Sequence, residues 1–172
     1  MKKAFVVFII VISLCCTTTT QAIKPDDFIK RYNADVVKQT ELIDWKDFIF
    51  TSEENGNKTY KTYIAENNVL AEVTCDTNGD IVSFGGLILF TTSQEAQIKI
   101  KYFLKIANHI MFAGSQSLNF EEILSNVIEM FSEITLNNKD ITEKNTKEAN
   151  YKMTYGNLFG SEVLIFMCYP IK

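Results

Sequence analysis

The chain has 172 residues, 47% of them hydrophobic, and carries 17 Lys and Arg against 21 Asp and Glu. This length suits one domain with a substantial core, and 12% aromatic residues with only two prolines argue against disorder. An acidic chain lacks the clustered cations that follow a DNA or RNA backbone or an anionic lipid surface. We therefore expect no nucleic-acid partner.

Residues 1–22 have the three-part pattern of a secretory signal peptide. Two lysines precede an apolar run, AFVVFIIVISLCC, and an uncharged exit, TTTTQA, has small side chains at Thr20 and Ala22. Because the run is too short to span a bilayer, we expect cleavage after Ala22 and no integral membrane span. Cleavage leaves one globular domain, residues 23–172, with a net charge of about −6 because two cations and no acid are removed.

Two other outcomes for the N-terminal segment stay open. Lipidation at Cys15 or Cys16 requires a small residue just before the modified cysteine, whereas Leu14 precedes Cys15. Retention as an uncleaved anchor requires roughly 18 apolar residues. We expect export to the periplasm or the medium, with an envelope-anchored form as the alternative. The abundance of Lys, Asn and Ile is typical of an AT-rich bacterial genome.

The first predicted element is a helix over residues 25–39. Pro25 suits a first helical position, two aspartates follow it, and apolar residues then recur on one helical stripe. Residues 42–50, around Trp45, are predicted to form a strand. Polar turns at residues 53–58 and 66–68 enclose a second strand at residues 59–65.

Asn78-Gly79 is the strongest hairpin signal in the chain, and it joins predicted strands at residues 69–75 and 81–90. If this pair is the two-residue loop, counting outward fixes the register and places Cys75 in the core. Gly85-Gly86 indicates either a bulge or a close approach of a helix. The expected cross-strand pairs are Thr77 with Asp80, Cys75 with Val82, Val73 with Phe84, and Ala71 with Gly86.

Two helices and a hairpin complete the prediction. A capping box at Thr92 opens a helix to about Ala113 that is apolar on two sides, and a second helix starts near Asn119. Residues 136–149 are polar and predicted to form a loop. Residues 151–155 and 162–169 form a final hairpin whose second strand is apolar on both faces and therefore central. The fold class is α+β: an N-terminal helix, an antiparallel meander of about four strands, two helices on one sheet face, and a C-terminal hairpin completing the sheet.

The sequence contains no recognisable catalytic or metal-binding constellation, and we expect no cofactor. His109, the only histidine, lies in an apolar helix and is predicted to pack there. The Asp76–Asp80 segment lacks the calcium-loop spacing, since Thr74 and Gly85 occupy the first and last ligand positions. Three pairs of adjacent acids fit helix starts or a turn, although a carboxylate hydrolase stays a minor alternative.

Cys75 and Cys168 are the two cysteines of the mature chain, and such an even pair in an exported protein is compatible with a disulfide. Two separate buried thiols are the alternative, and the pair alone does not decide between them. Tyrosine has an apolar body and a polar tip, so tyrosines on strands either are half-buried residues of an ordinary sheet or form a protein-contact surface. We therefore predict an exported, non-enzymatic domain that binds a protein or cell-envelope partner. The alternative is a carrier that holds a small apolar ligand or lipid between helices and sheet. The candidate contact residues are Tyr60, Tyr63, Tyr151 and Tyr155.

Overall fold

Seven antiparallel strands form one sheet, in the order β1-β2-β3-β4-β7-β6-β5, in a computed structural model that describes residues 22–34, 36–37, 39–66, 68–158 and 160–171. Three helices pack on the sheet: α1 (Pro25–Ala34), α2 (Ser93–Gly114) and α3 (Phe120–Leu136). The predicted α+β class is therefore confirmed. The strands are β1 (Ile49–Glu54), β2 (Asn57–Ile64), β3 (Val69–Cys75), β4 (Ile81–Phe90), β5 (Ile141–Asn145), β6 (Ala149–Leu158) and β7 (Ser161–Pro170). Of the predicted signal segment, only Ala22 lies within the described residues, and Cys15 and Cys16 lie outside them.

The N-terminal helix is confirmed, but it is shorter than predicted. Phe28, Ile29 and Tyr32 are buried on the stripe that the sequence indicates, and the helix ends at Ala34. The strand predicted at residues 42–50 is wrong. A 3₁₀ turn, Trp45–Asp47, occupies its centre, because the Asp44 carboxylate accepts a hydrogen bond from the Lys46 amide and closes a helical turn.

The β3–β4 hairpin confirms both strand ranges and two of the four predicted cross-strand pairs, and Thr77 and Asp80 lie in the turn instead of pairing. Val73 pairs with Phe84 and Ala71 with Gly86, but Cys75 pairs with Ile81 instead of Val82. The register shifts because the Asp76 carboxylate accepts hydrogen bonds from the amides of Asn78 (2.8 Å) and Asp80 (3.0 Å). This arrangement widens the turn beyond two residues, with Gly79 at a φ of +75°.

Both long helices begin at the predicted caps. The Thr92 hydroxyl accepts from the Glu95 amide, and Asn119 and Glu122 form a reciprocal capping box. Gly86 lies beneath α2, where an added Cβ would meet Ile106 at 3.4 Å. The register of β4 is continuous through the two glycines, so there is no bulge, and the close approach of a helix explains Gly86.

The C-terminal part adds three strands instead of two. Residues 136–149 were predicted to form a loop, but Ile141–Asn145 is an edge strand, β5, paired with β6. Thr142 is its only buried residue, because edge strands bury little side-chain surface. The apolar strand β7 lies between β4 and β6, which confirms its predicted central position.

The sheet has two unlike faces. Alternate residues such as Val73, Phe84, Phe166 and Tyr151 point toward the helices and form the core. We call this the inner face. The outer face is the opposite side, and none of the described helices packs on it. Its composition is the basis of the candidate site.

Candidate interaction surface

An uncovered apolar strip runs across the centre of the outer face. Strand pairing aligns one residue from each of six strands in a single row, and only one of the six is a polar residue. Leu89, which is 38% exposed, extends the strip along β4, while its partner on β7, Val163, is buried. Contiguous apolar surface on a folded domain commonly marks an interaction site. From β2 to β5, the row contains Tyr63, Leu70, Leu87, Ile165, Thr154 and Ile141.

A charged row flanks the strip on one side. Lys61 forms an ion pair with Glu72 across β2 and β3 (3.0 Å), and Lys152 forms one with Glu143 across β6 and β5 (3.7 Å). Tyr169 lies on the same face. Burial raises the pKa of Tyr169, and the charges of Glu143 and Glu72 raise it further. The outer face therefore has an apolar centre with charge-balanced ends.

Gly85 and Met167 occupy the middle of the charged row, between the two ion pairs. A Cβ added to Gly85 would lie 2.1 Å from the Met167 sulfur, so the methionine side chain covers the glycine. Methionine is flexible and adapts to irregular surfaces. The centre of the outer face is thus apolar in this row as well.

The four predicted contact tyrosines do not share a surface. Tyr63 is 62% exposed on the outer face and belongs to the apolar strip. Tyr60 lies on the inner face against Trp45, and Tyr155 lies half-buried on the inner face near the β6–β7 turn. The prediction that Tyr151 contacts a partner is wrong, because its side chain is 1% exposed and inaccessible to a partner in this fold.

Tyr151 belongs to a buried hydroxyl network that ties α2 to the sheet. Its hydroxyl donates to the Met111 carbonyl (3.1 Å) and lies 2.7 Å from the Ser115 hydroxyl, which also contacts Thr146 at 2.8 Å. Burial raises the pKa of Tyr151, so this phenol stays protonated. The network fixes the C-terminal end of α2, and this explains why the tyrosine is internal.

Of the two alternatives for the cysteines, the structure has the separate thiols: Cys75 and Cys168 are both free and buried. Cys75 lies on β3 and Cys168 on β7, and β4 separates these strands. Strands two positions apart are roughly 9.6 Å from each other, beyond the ~7 Å that a disulfide spans between Cα atoms. Burial raises the pKa of Cys75 to about 11 and that of Cys168 to about 12.

Neither thiol should react with iodoacetamide at pH 8 in the folded protein, because each is buried and protonated. In urea both should react, and mass spectrometry counts the added groups. The stability that these protonated thiols contribute is fully present below pH 9, the ordinary thiol pKa. It is lost as the pH rises through the folded values near 11 and 12. Rapid modification of Cys168 without urea would contradict its placement in the core.

His109 packs as the sequence predicts, but beside an acid that the sequence did not identify. Glu41 is 2% exposed, and its carboxylate lies 3.2 Å from the Lys105 ammonium and 3.8 Å from His109 Nε2. The His109 ring contacts the Tyr32 ring edge-on, with 5.4 Å between centroids. Burial and the charge of Glu41 raise the pKa of Tyr32. This cluster joins the 3₁₀ turn Gln39–Glu41 and α1 to α2.

Two grooves lie at the ends of the helix layer. One, of about 710 Å³, opens between the start of α2, the end of α3 and the β6–β7 hairpin. The other, of about 790 Å³, is lined by polar and charged residues apart from Leu118, and Glu121 and Glu122 are among them. These two acids are neighbours on one helix, so they do not face each other across the groove as a hydrolase requires. The apolar residues of the first groove are Phe90, Ala96, Ile100, Phe131, Ile134 and Leu164.

Across the described ranges, no three His, Cys, Asp or Glu side chains are grouped so that they could hold a metal ion. No helix in the same part of the chain is long and apolar enough to cross a membrane. No protein-family model, curated protein or solved structure matches this chain.

Proposed function

We propose that this chain is an exported, non-catalytic domain that binds a protein partner through the outer face of its sheet. The observation that supports this most strongly is the apolar strip, which lies open on a face that no described helix covers. Tyrosine, methionine and aliphatic side chains at the centre, with charges at the margin, are the arrangement of specific protein interfaces. The signal-like pattern at residues 1–22 supports a partner outside the cytoplasm.

Substitution of Tyr63 by lysine should weaken partner binding and leave the fold intact. Tyr63 is mostly exposed, so the new charge costs little stability but breaks the apolar contact area. The tagged full chain is cross-linked in cells, the partner is identified by mass spectrometry, and its affinity is measured by titration. We expect at least ~10-fold weaker binding.

Ile128→Lys is the matched control, because Ile128 is 51% exposed and lies on α3, on the other side of the molecule. Phe120 and Leu124 are exposed on the same helix, so this variant also tests the rival apolar surface. Binding that survives Tyr63→Lys but is lost with Ile128→Lys would reject the outer face. Mass measurement of the mature protein tests cleavage after Ala22 in the same sample.

A carrier function is the second candidate, and the groove between α2, α3 and the β6–β7 hairpin favours it. Its apolar floor is formed by residues such as Phe131 and Leu164, and its volume of about 710 Å³ would admit a drug-sized or acyl ligand. Saturable binding of a fluorescent fatty acid that Ala96→Trp blocks, and that Gln94→Trp on the same helix does not, would favour this function over protein binding.

A further inference from the structure

We propose that the partner on the outer face is a second copy of this chain, with the two sheets packed face to face about a two-fold axis that runs parallel to the strands between β4 and β7. This inference rests on the proposed function and names the partner. The axis sets β4 against the second copy's β7, β3 against its β6, and β2 against its β5. The outer face must therefore be complementary to itself across these pairs of strands.

The charged row satisfies this requirement. The axis lies between Gly85 and Met167, so reversing the row places Lys61 opposite the second copy's Glu143 and Glu72 opposite the second copy's Lys152. Every charge in the row thus meets its opposite, and the two methionines meet over the two glycines at the axis. From β2 to β5 the row contains Lys61, Glu72, Gly85, Met167, Lys152 and Glu143.

The two neighbouring rows are also self-complementary. In the apolar strip, reversal places Leu87 opposite Ile165 and Tyr63 opposite Ile141, which are apolar contacts. It places Leu70 opposite Thr154, the one polar residue of the strip, whose methyl group can contact the leucine. On the other side of the charged row lies a neutral polar row, in which Thr74 would meet Asn150 and Thr59 would meet Asn145. These groups can form hydrogen bonds with each other, and no charge in the three rows is left against an apolar residue.

The charges also select the position of the axis. If the axis passed through β4, the central strand of seven, Lys61 would face the second copy's Lys152. Like charges brought together in an interface repel each other and weaken association. Only the axis between β4 and β7 pairs opposite charges at both ends of the row. Aligned sheets cross at about 30°, and the long Lys and Glu side chains can span the resulting offset.

The expected area indicates a dimer of moderate affinity. Six strands about 4.8 Å apart and three rows of side chains give a footprint of roughly 500 Å² per copy, or about 1,000 Å² in total, near the lower limit for specific interfaces. We therefore expect self-association in the micromolar range, measurable by sedimentation velocity of the purified full chain from about 1 µM to about 1 mM.

Two charge swaps test the arrangement without changing the net charge or removing an ion pair within the chain. Lys61→Glu with Glu72→Lys reverses one pair, and Lys152→Glu with Glu143→Lys reverses the other. Either swap places like charges opposite each other in a homodimer and should weaken self-association at least ~10-fold. Mixing the two swapped proteins restores opposite charges at all contacts, so the mixture should dimerise about as tightly as the original chain.

Dimerisation of the mixture also shows that both swapped proteins are folded. A chain that is monomeric at every concentration, or a dimer that tolerates either swap, would overturn the inference. The proposed function has a separate test, because Tyr63→Lys can abolish capture of a different protein even when the chain is monomeric. If Tyr63→Lys leaves both self-association and the capture of a different protein unchanged, the dimer and the proposed function are both rejected.

Discussion

Phe84→Ala is expected to lower the free energy of unfolding by about 4 kcal/mol. Phe84 is 1% exposed in the middle of β4, and its ring is stacked on that of Phe28, with 4.6 Å between centroids. Phe48 also contacts it, at 6.0 Å. Truncation removes the contact by which α1 and the 3₁₀ segment dock on the sheet, and it leaves a cavity that these neighbours can fill only in part.

Leu89→Ala in the same strand is the control for this experiment. Leu89 is on the outer face and partly exposed, so its truncation should cost about 1 kcal/mol or less. Urea unfolding followed by circular dichroism measures both variants. A Phe84→Ala chain with wild-type stability would mean that α1 does not depend on this contact. A similar loss for both variants would mean that burial does not distinguish the two positions.

Local patterns predicted the elements that depend on local interactions. The β3 and β4 ranges, the starts of α2 and α3, and the burial of Cys75 follow from alternation, Asn-Gly and capping residues, which act within a few positions. The hairpin register failed only at its turn. There the Asp76 side chain competes with the backbone pairing, a choice that alternation alone does not reveal.

The errors occur where a distant partner decides the structure. Ile141–Asn145 is polar and lacks a strand pattern, yet pairing with β6 makes it a strand. The two cysteines are separated by β4, and only the insertion of β7 between β4 and β6 sets that distance. In the same way, Tyr151 was expected on the surface, but the end of α2 covers it.

The outer face could be predicted only in part. Tyr63 was identified as a contact residue, but the other members of the strip come from β3 to β7. The order of these strands in the sheet cannot be deduced from the sequence. The charged row is likewise invisible in sequence, since Lys61 and Glu143 are far apart along it. The burial of Glu41 could not be predicted from the sequence, because no neighbouring residue distinguishes a buried acid from a solvent-exposed one.

Glu41→Ala is expected to cost about 3 kcal/mol of stability, mainly because it removes the anion from a site built around it. Lys105 and His109 then lose a carboxylate at 3.2 and 3.8 Å, and a side chain that is 2% exposed leaves a void. Glu41→Gln retains the shape and can still form hydrogen bonds, so it should cost less, about 1–2 kcal/mol. Thermal and urea unfolding measure the two effects.

The exposed pair Glu129 and Lys144, at 3.0 Å, is the matched control. Because water surrounds it, Glu129→Ala should cost less than about 1 kcal/mol, although the ion-pair distances are similar. A double-mutant cycle with Lys105→Met separates the energy of the ion pair from the cost of the void. If the coupling energy between Glu41 and Lys105 is larger than that of the exposed pair, the loss of stability in Glu41→Ala is due to burial of the charge. Equal coupling in both pairs would show that solvent reaches Glu41, and that this cluster does not fasten the 3₁₀ segment to α2.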